Sequence, residues 1–209
     1  MEERNNMTAE RSLEIIRESI ERSQRSITKN SALPLVWWGG LTIVMSFLIV
    51  YLWKYQGGPV WNVLWFLMWP VGYLGNRLID KRQTPTPPSF VGKTIGHVWA
   101  TFGIMCGLFS WIVCFAAFGW LPMSILGNGP HVSINMTSII ALCFGMGTTI
   151  TGFILKSTII NVCGILAGVG GFFLALQFSG QPEQLYVMAA VAFVALVVPG
   201  LMVYLKNKK

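Results

Sequence analysis

Six long apolar runs occupy the chain between Ser31 and Tyr204, and its basic residues lie almost entirely on one side of them. A bilayer hydrocarbon core of about 30 Å needs roughly 20 apolar residues in helical form. The runs fall at Ala32–Trp53, Val60–Leu78, Ile95–Trp120, Val132–Leu155, Ser157–Phe178 and Leu185–Tyr204. Unpaired backbone groups in lipid cost several kcal/mol each, so such runs must be helical or part of a closed barrel. Barrel strands alternate polar and apolar residues, whereas these runs are apolar all round. The expected fold class is therefore all-α: a polytopic membrane protein with six transmembrane helices and an amphipathic cytoplasmic helix ahead of them. Three regions follow: a helical segment over residues 1–30, a bundle over 31–205 and a basic tail over 206–209.

Charge sets the expected orientation. With six spans, 14 of the 15 basic residues face one side and Lys54 alone faces the other. The positive-inside rule then puts both ends in the cytoplasm. The net charge of +7 is topogenic on this reading and suits anionic inner-leaflet lipid. Nucleic-acid binding would need a soluble basic domain with groove-reading or stacking elements, and the pattern offers none. Thirty polar residues precede the first run, too many for the n-region of a cleavable signal.

Residues from about Thr8 to Thr28 read as an amphipathic helix, with Leu13, Ile16, Ile20 and Ile27 on one stripe and Asn30 as its expected end. Thr8 suits the N-cap and Glu10 the first turn. Six bases balance six acids over residues 1–30. Two readings stay open: the stripe pairs with a partner helix or with itself, or it lies on the inner leaflet.

The runs contain no Asp or Glu; Asp80 and Glu183 fall between them. Intramembrane ionisable groups commonly mark proton relays and ion paths, so proton-coupled transport is disfavoured. His97 and His131 fall on opposite faces in this topology and cannot share a metal within one protomer. No nucleophile has a base beside it, so the chain does not read as an enzyme, and no cofactor is expected. Cys106, Cys143, Cys114 and Cys163 lie inside runs and read as small apolar residues.

What the runs do contain is small and weakly polar. Gly103 and Gly107 make one GxxxG pattern and Gly164 and Gly168 another, the spacing that lets helix backbones approach. Thr148, Thr149, Thr151, Lys156, Ser157, Thr158 and Asn161 form the main polar group, around the turn between the fourth and fifth runs. It reads either as interhelical hydrogen bonding with a snorkelling lysine or as a candidate polar pocket open to the cytoplasm. Trp61, Trp65 and Trp69 form an i, i+4, i+8 stripe before Pro70, which can kink a helix. Lys81 to Pro88 is basic and then proline-rich, a connector or an exposed docking strip.

Three groups of residues carry a resemblance: Arg11-Ser12-Leu13-Glu14-Ile15-Ile16, then Trp38-Gly39, then Ile95-Gly96-His97-Val98-Trp99 with Phe102-Gly103. Over residues 8–110 the chain resembles a group of small multi-pass inner-membrane proteins common in Bacteroidetes. The resemblance implies a bacterial inner membrane and supplies no catalytic residue. Some relatives accompany small transcriptional regulators. The expected function is a non-catalytic bundle that binds a cytoplasmic or membrane partner, in sensing or regulation. The alternative is a transporter or channel component that uses the polar region of the fourth and fifth spans.

Overall fold

Helix α1 runs without interruption over Glu2–Gln56 in the computed structural model. The structure describes the backbone of residues 2–82, 90–122 and 135–206, and side chains for 11–15, 33–81, 92–116, 118–122 and 135–205. The helix does not stop at Asn30 as expected. An asparagine inside a helix costs only a few tenths of a kcal/mol, and no glycine follows to form a left-handed cap. Pro34 lies within α1 and removes the donor that would close on the Asn30 carbonyl. The signal at Asn30 thus becomes one missing hydrogen bond, not a terminus.

Five helical stretches are long and apolar enough to cross a membrane among the described residues: Leu33–Gln56, Gly92–Ala116, Met136–Ile154, Thr158–Gln177 and Gln184–Leu205. The second apolar run is built differently. A 3₁₀ helix covers Pro59–Leu67 and passes directly into α2, Met68–Arg82. Gly57 and Gly58, both at φ 96°, reverse the chain ahead of it, a conformation that favours glycine. Pro59 opens the first turn, where its fixed φ is suitable. Pro70 falls in the first turn of α2, so the expected mid-helix kink is replaced by the junction between two helix types.

The remaining elements are α3 (Phe90–Ala117), α4 (Met136–Ile154), α5 (Thr158–Ile165), α6 (Gly171–Gln177), α7 (Gln184–Ala192) and α8 (Val198–Lys206). One π-helical turn, Leu166–Gly170, joins α5 to α6, and another, Phe193–Val197, joins α7 to α8.

Neighbouring passes run antiparallel, as side-chain contacts show pair by pair. Against α1, Trp61, Leu64 and Trp65 pack on Met45, Ile49 and Val50. Further along, Met68 meets Thr42, Trp69 meets Trp38, and Gly75 faces the Trp37 ring. The Pro59–Arg82 segment therefore returns along α1 from near its Lys54 end to Trp37. Trp99 and Phe102 of α3 reach Gly147 of α4. Gly145 of α4 faces Gly168, and Gly152 faces Asn161 of α5. Gly171 faces Val191 of α7, and Gly39 of α1 faces Leu196 and Val197.

The α4–α5 seam is the tightest. A Cβ on Gly168 would lie 2.8 Å from the Gly145 Cα, and one on Gly145 would lie 2.7 Å from the Gly164 carbonyl oxygen. These glycines let two backbones touch, as the spacing predicts. The other GxxxG has a different use. Gly103 and Gly107 form a trough for the Trp69 indole, which a Cβ would meet at 3.0 and 3.1 Å. We therefore expect Gly168→Leu to unfold the bundle at a markedly lower temperature in detergent. Gly107→Leu should cost less, about 1–3 kcal/mol, because a ring edge can move where a backbone cannot. Equal losses for the two variants would contradict this distinction.

Candidate functional site

The polar group around the α4–α5 turn divides by helix geometry. Thr148, Thr149 and Thr151 lie close in sequence, but successive helix positions point about 100° apart. Each hydroxyl has its own surroundings. Thr148 is 2% exposed, and its Oγ1 donates to the Ala195 carbonyl at 2.9 Å. Thr149 Oγ1 donates to the Gly145 carbonyl of its own helix at 2.8 Å and packs on Gly164. Thr151 Oγ1 donates to the Gly147 carbonyl at 2.7 Å and accepts from Trp99 Nε1 of α3 at 3.2 Å. Lys156 and Thr158 are exposed, and Lys156 adopts φ 52° in the turn. Asn161 packs against Gly152, and its Oδ1 is buried with no hydrogen-bond partner. The three threonines thus serve three different neighbours.

A depression of about 280 Å³ lies beside them, between α4 and α5. Its walls are apolar, with Leu142, Met146, Ile165 and Val169 around a glycine floor. Thr149 is the hydroxyl on it, already bonded to its own helix. The depression suits hydrocarbon better than a polar solute.

Thr148 has a specific task that the sequence reading missed. Pro199 is fully buried and has no backbone N–H. In a regular α-helix that N–H would bond the Ala195 carbonyl four residues earlier. The π-helical turn at Phe193–Val197 accommodates the break, and Val198 N–H donates to the Phe193 carbonyl instead. Thr148 then supplies the Ala195 carbonyl with a donor from another helix. A signal existed in the sequence: a proline in the sixth run frees a carbonyl at a known offset, and in lipid that carbonyl needs a partner.

At the other end of the bundle, Lys54 Nζ lies 2.8 Å from a Glu183 carboxylate oxygen and 5.3 Å from the centre of the Tyr186 ring. The hydrogen bond from Lys54 holds the Glu183 carboxyl below its ordinary value. Both groups are more than a third exposed, so the pair locates helix ends more than it stabilises them. Nearby, Asn135 caps α4 by accepting from Ser138 N–H at 3.0 Å and donates Nδ2–H to the Ala175 carbonyl at 2.8 Å. The Asn135-Met136-Thr137 sequon is thus occupied by structural hydrogen bonds.

Of the expected partner face, Leu13 is 66% exposed, with Ile15 beside it at 58%. The side chains of Ile16, Ile20 and Ile27 lie outside the described residues, as do His131 and the Gln83–Pro88 part of the proline-rich loop. No group of three or more metal-ligating His, Cys, Asp or Glu side chains occurs among the described residues.

Thr148→Val should leave the Ala195 carbonyl without its side-chain donor and cost about 1–2 kcal/mol. Thr149→Val removes only a bond within one helix and should cost less. Thermal or denaturant unfolding of the two variants measures the difference, and a more damaging Thr149→Val would refute the assignment. Compared with family models, characterised proteins and solved structures, the chain shows no match.

Proposed function

We propose that this chain is a non-catalytic, six-pass bundle of a bacterial inner membrane that presents the cytoplasmic part of α1 to a partner helix, in sensing or regulation. The observation that carries the proposal is the continuity of α1 from Glu2 to Gln56. Residues 2–32 add about 46 Å of helix to the membrane-crossing part, at 1.5 Å per residue. Leu13 stands exposed on that extension. A helix continuous with a membrane span transmits rotation or tilt between its two parts, which a flexible linker would not do.

Six spans are supported by the Pro59–Arg82 segment. Nine 3₁₀ residues at about 2 Å each and the eleven α-helical residues to Leu78 make roughly 34 Å, enough for a hydrocarbon core. Parity gives independent support. The Lys54–Glu183 pair puts the end of α1 and the start of α7 at the same end of the bundle. Asn135 and Ala175 put the start of α4 at the end of α6, which leads by a short turn to Glu183. With α3 antiparallel to α4, a crossing by the segment between α1 and α3 fits these contacts. Both ends of the chain then share the basic side, in agreement with the charge rule. Reporter fusions at Asn128 and at the C-terminus should report opposite sides; the same side for both would overturn the topology.

Helix pairing is tested by Ile16→Asp together with Ile20→Asp. The pair of changes should leave insertion and bundle stability intact and abolish protection of residues 8–28 from protease, since carboxylates are costly in an apolar seam. In neutral-lipid liposomes, protection that rises with protein concentration fits pairing. Protection seen only with anionic lipid would replace pairing by adsorption to the membrane surface, and full protection of the double variant would remove the role given to this stripe.

A further inference from the structure

The depression between α4 and α5 points along the helices to the turn that joins them. Its walls come from residues 142–150 of α4 and from residues 164–169 of α5 and the π-helical turn after it. Met146, Ile165 and Val169 on these walls are each about half exposed, so the trough opens outward from the bundle. In a bilayer that outward side is lipid. Helical spacing carries the same face toward the turn. Thr158 precedes Ile165 by seven residues and shares its face, as Phe153 shares the face of Thr149. Thr158 is exposed, and Lys156 stands exposed in the turn itself. From Thr158 to Val169 is about 16 Å of helix, close to half of a hydrocarbon core of about 30 Å. The trough and its turn thus span the depth of one leaflet.

The turn offers only positive charge. Among the described residues no carboxylate pairs with Lys156. The chain has no Asp or Glu between Asp80 and Glu183, and Glu183 is held by Lys54 at the opposite end of the bundle. Ser157 stands at the N-cap of α5 without a side-chain cap hydrogen bond. The first N–H groups of that helix have no intrahelical acceptor, and its dipole favours an anion beside them. An apolar trough one leaflet deep therefore ends at a lysine and an uncapped helix start.

We propose that the α4–α5 trough and the Lys156 turn form a binding site for one anionic phospholipid. One acyl chain lies over Gly145, Gly164 and Gly168, where the missing side chains leave room for it. The phosphate meets the Lys156 ammonium, the Thr158 hydroxyl and the first N–H groups of α5. A zwitterionic phospholipid offers the same chain and phosphate but brings a cation beside Lys156, so the site discriminates by headgroup charge. The proposal goes beyond the role given to the cytoplasmic part of α1 and does not depend on it. It requires only that α4 and α5 stand in a bilayer.

The test uses the full chain in neutral detergent, with phosphatidylglycerol and phosphatidylcholine of identical acyl chains as probes. Native mass spectrometry should find one phosphatidylglycerol bound about tenfold more tightly than phosphatidylcholine, as one lysine and one helix start predict. Lys156→Asn should remove the preference, since asparagine tolerates the left-handed turn and carries no charge. Lys156→Arg should keep it. Met146→Trp, on the exposed wall, should weaken both lipids by filling the trough. A second measurement needs no variant. Phosphatidylglycerol with a photoreactive group midway along one chain, diluted into phosphatidylcholine vesicles, should label residues 142–150 and 164–169 of the wild-type chain. Label spread evenly over the lipid-facing helices, equal affinity for the two lipids, or a preference that survives Lys156→Asn would overturn the site. Competition by free glycerol phosphate at the lipid's own concentration would reduce it to an anion site without a chain. Label that disappears from the trough as the protein-to-lipid ratio rises would assign the trough to a second copy.

Discussion

The bundle depends on backbone contact at the α4–α5 seam. Gly145 lies against Gly164 and Gly168 so closely that a methyl group at these positions would enter the opposing backbone. In lipid there is no hydrophobic gain from joining two apolar helices, so association rests on packing and interhelical hydrogen bonds. A seam without side chains maximises the first. It also fixes the rotation of α4, and the rest follows from that rotation. Ala141, Ala167, Val191, Ala195 and Leu196 make the buried cluster beside the seam. Thr148 comes to face the π-helical turn between α7 and α8, and Thr151 comes to face α3.

Backbone hydrogen bonding sets the second constraint. The proline in the last pass and the two π-helical turns disturb ladders that lipid cannot repair. At the proline the structure answers with a side chain, and elsewhere side chains add bonds to intact helix carbonyls. Thr148 serves Ala195, while Trp37 donates Nε1–H to the Gly72 carbonyl at 3.2 Å. Thr42 and Ser46, both fully buried, donate to carbonyls four residues back in α1. The described hydroxyls of the spans are largely bonded to carbonyls of the protein's own backbone. This is why a chain with many intramembrane hydroxyls need not contain a polar path.

The fold class was legible because hydropathy reports the solvent of a segment directly. What hydropathy could not report was helix type. The stripe of Trp61, Trp65 and Trp69 has the α-helical period, but Trp61 and Trp65 lie in a 3₁₀ helix and Trp69 in α2. Their uses differ accordingly, the first two packing on α1 and the third filling the Gly103–Gly107 trough. GxxxG has the same limit: the spacing announces a groove and leaves open whether a backbone or an indole fills it. The polar group is dispersed for a related reason. Adjacency along a helix disperses side chains around its axis, and only the neighbouring helices decide what each one meets.

The Lys54–Glu183 pair shows how a weak interaction can still be informative. Lys54 is the one base that the charge rule places outside, and Glu183 is an acid between two apolar runs. A lone charge on the outer face needs no partner for solvation, so sequence alone gave no reason to join them. Their contact contributes little stability in exposed surroundings. Its value lies in connectivity. Two chain positions about 130 residues apart meet at one end of the bundle. Such a contact ties two distant helix ends to one level of the bundle. Together with the Asn135–Ala175 bond it is the contact on which the proposed six-pass topology rests.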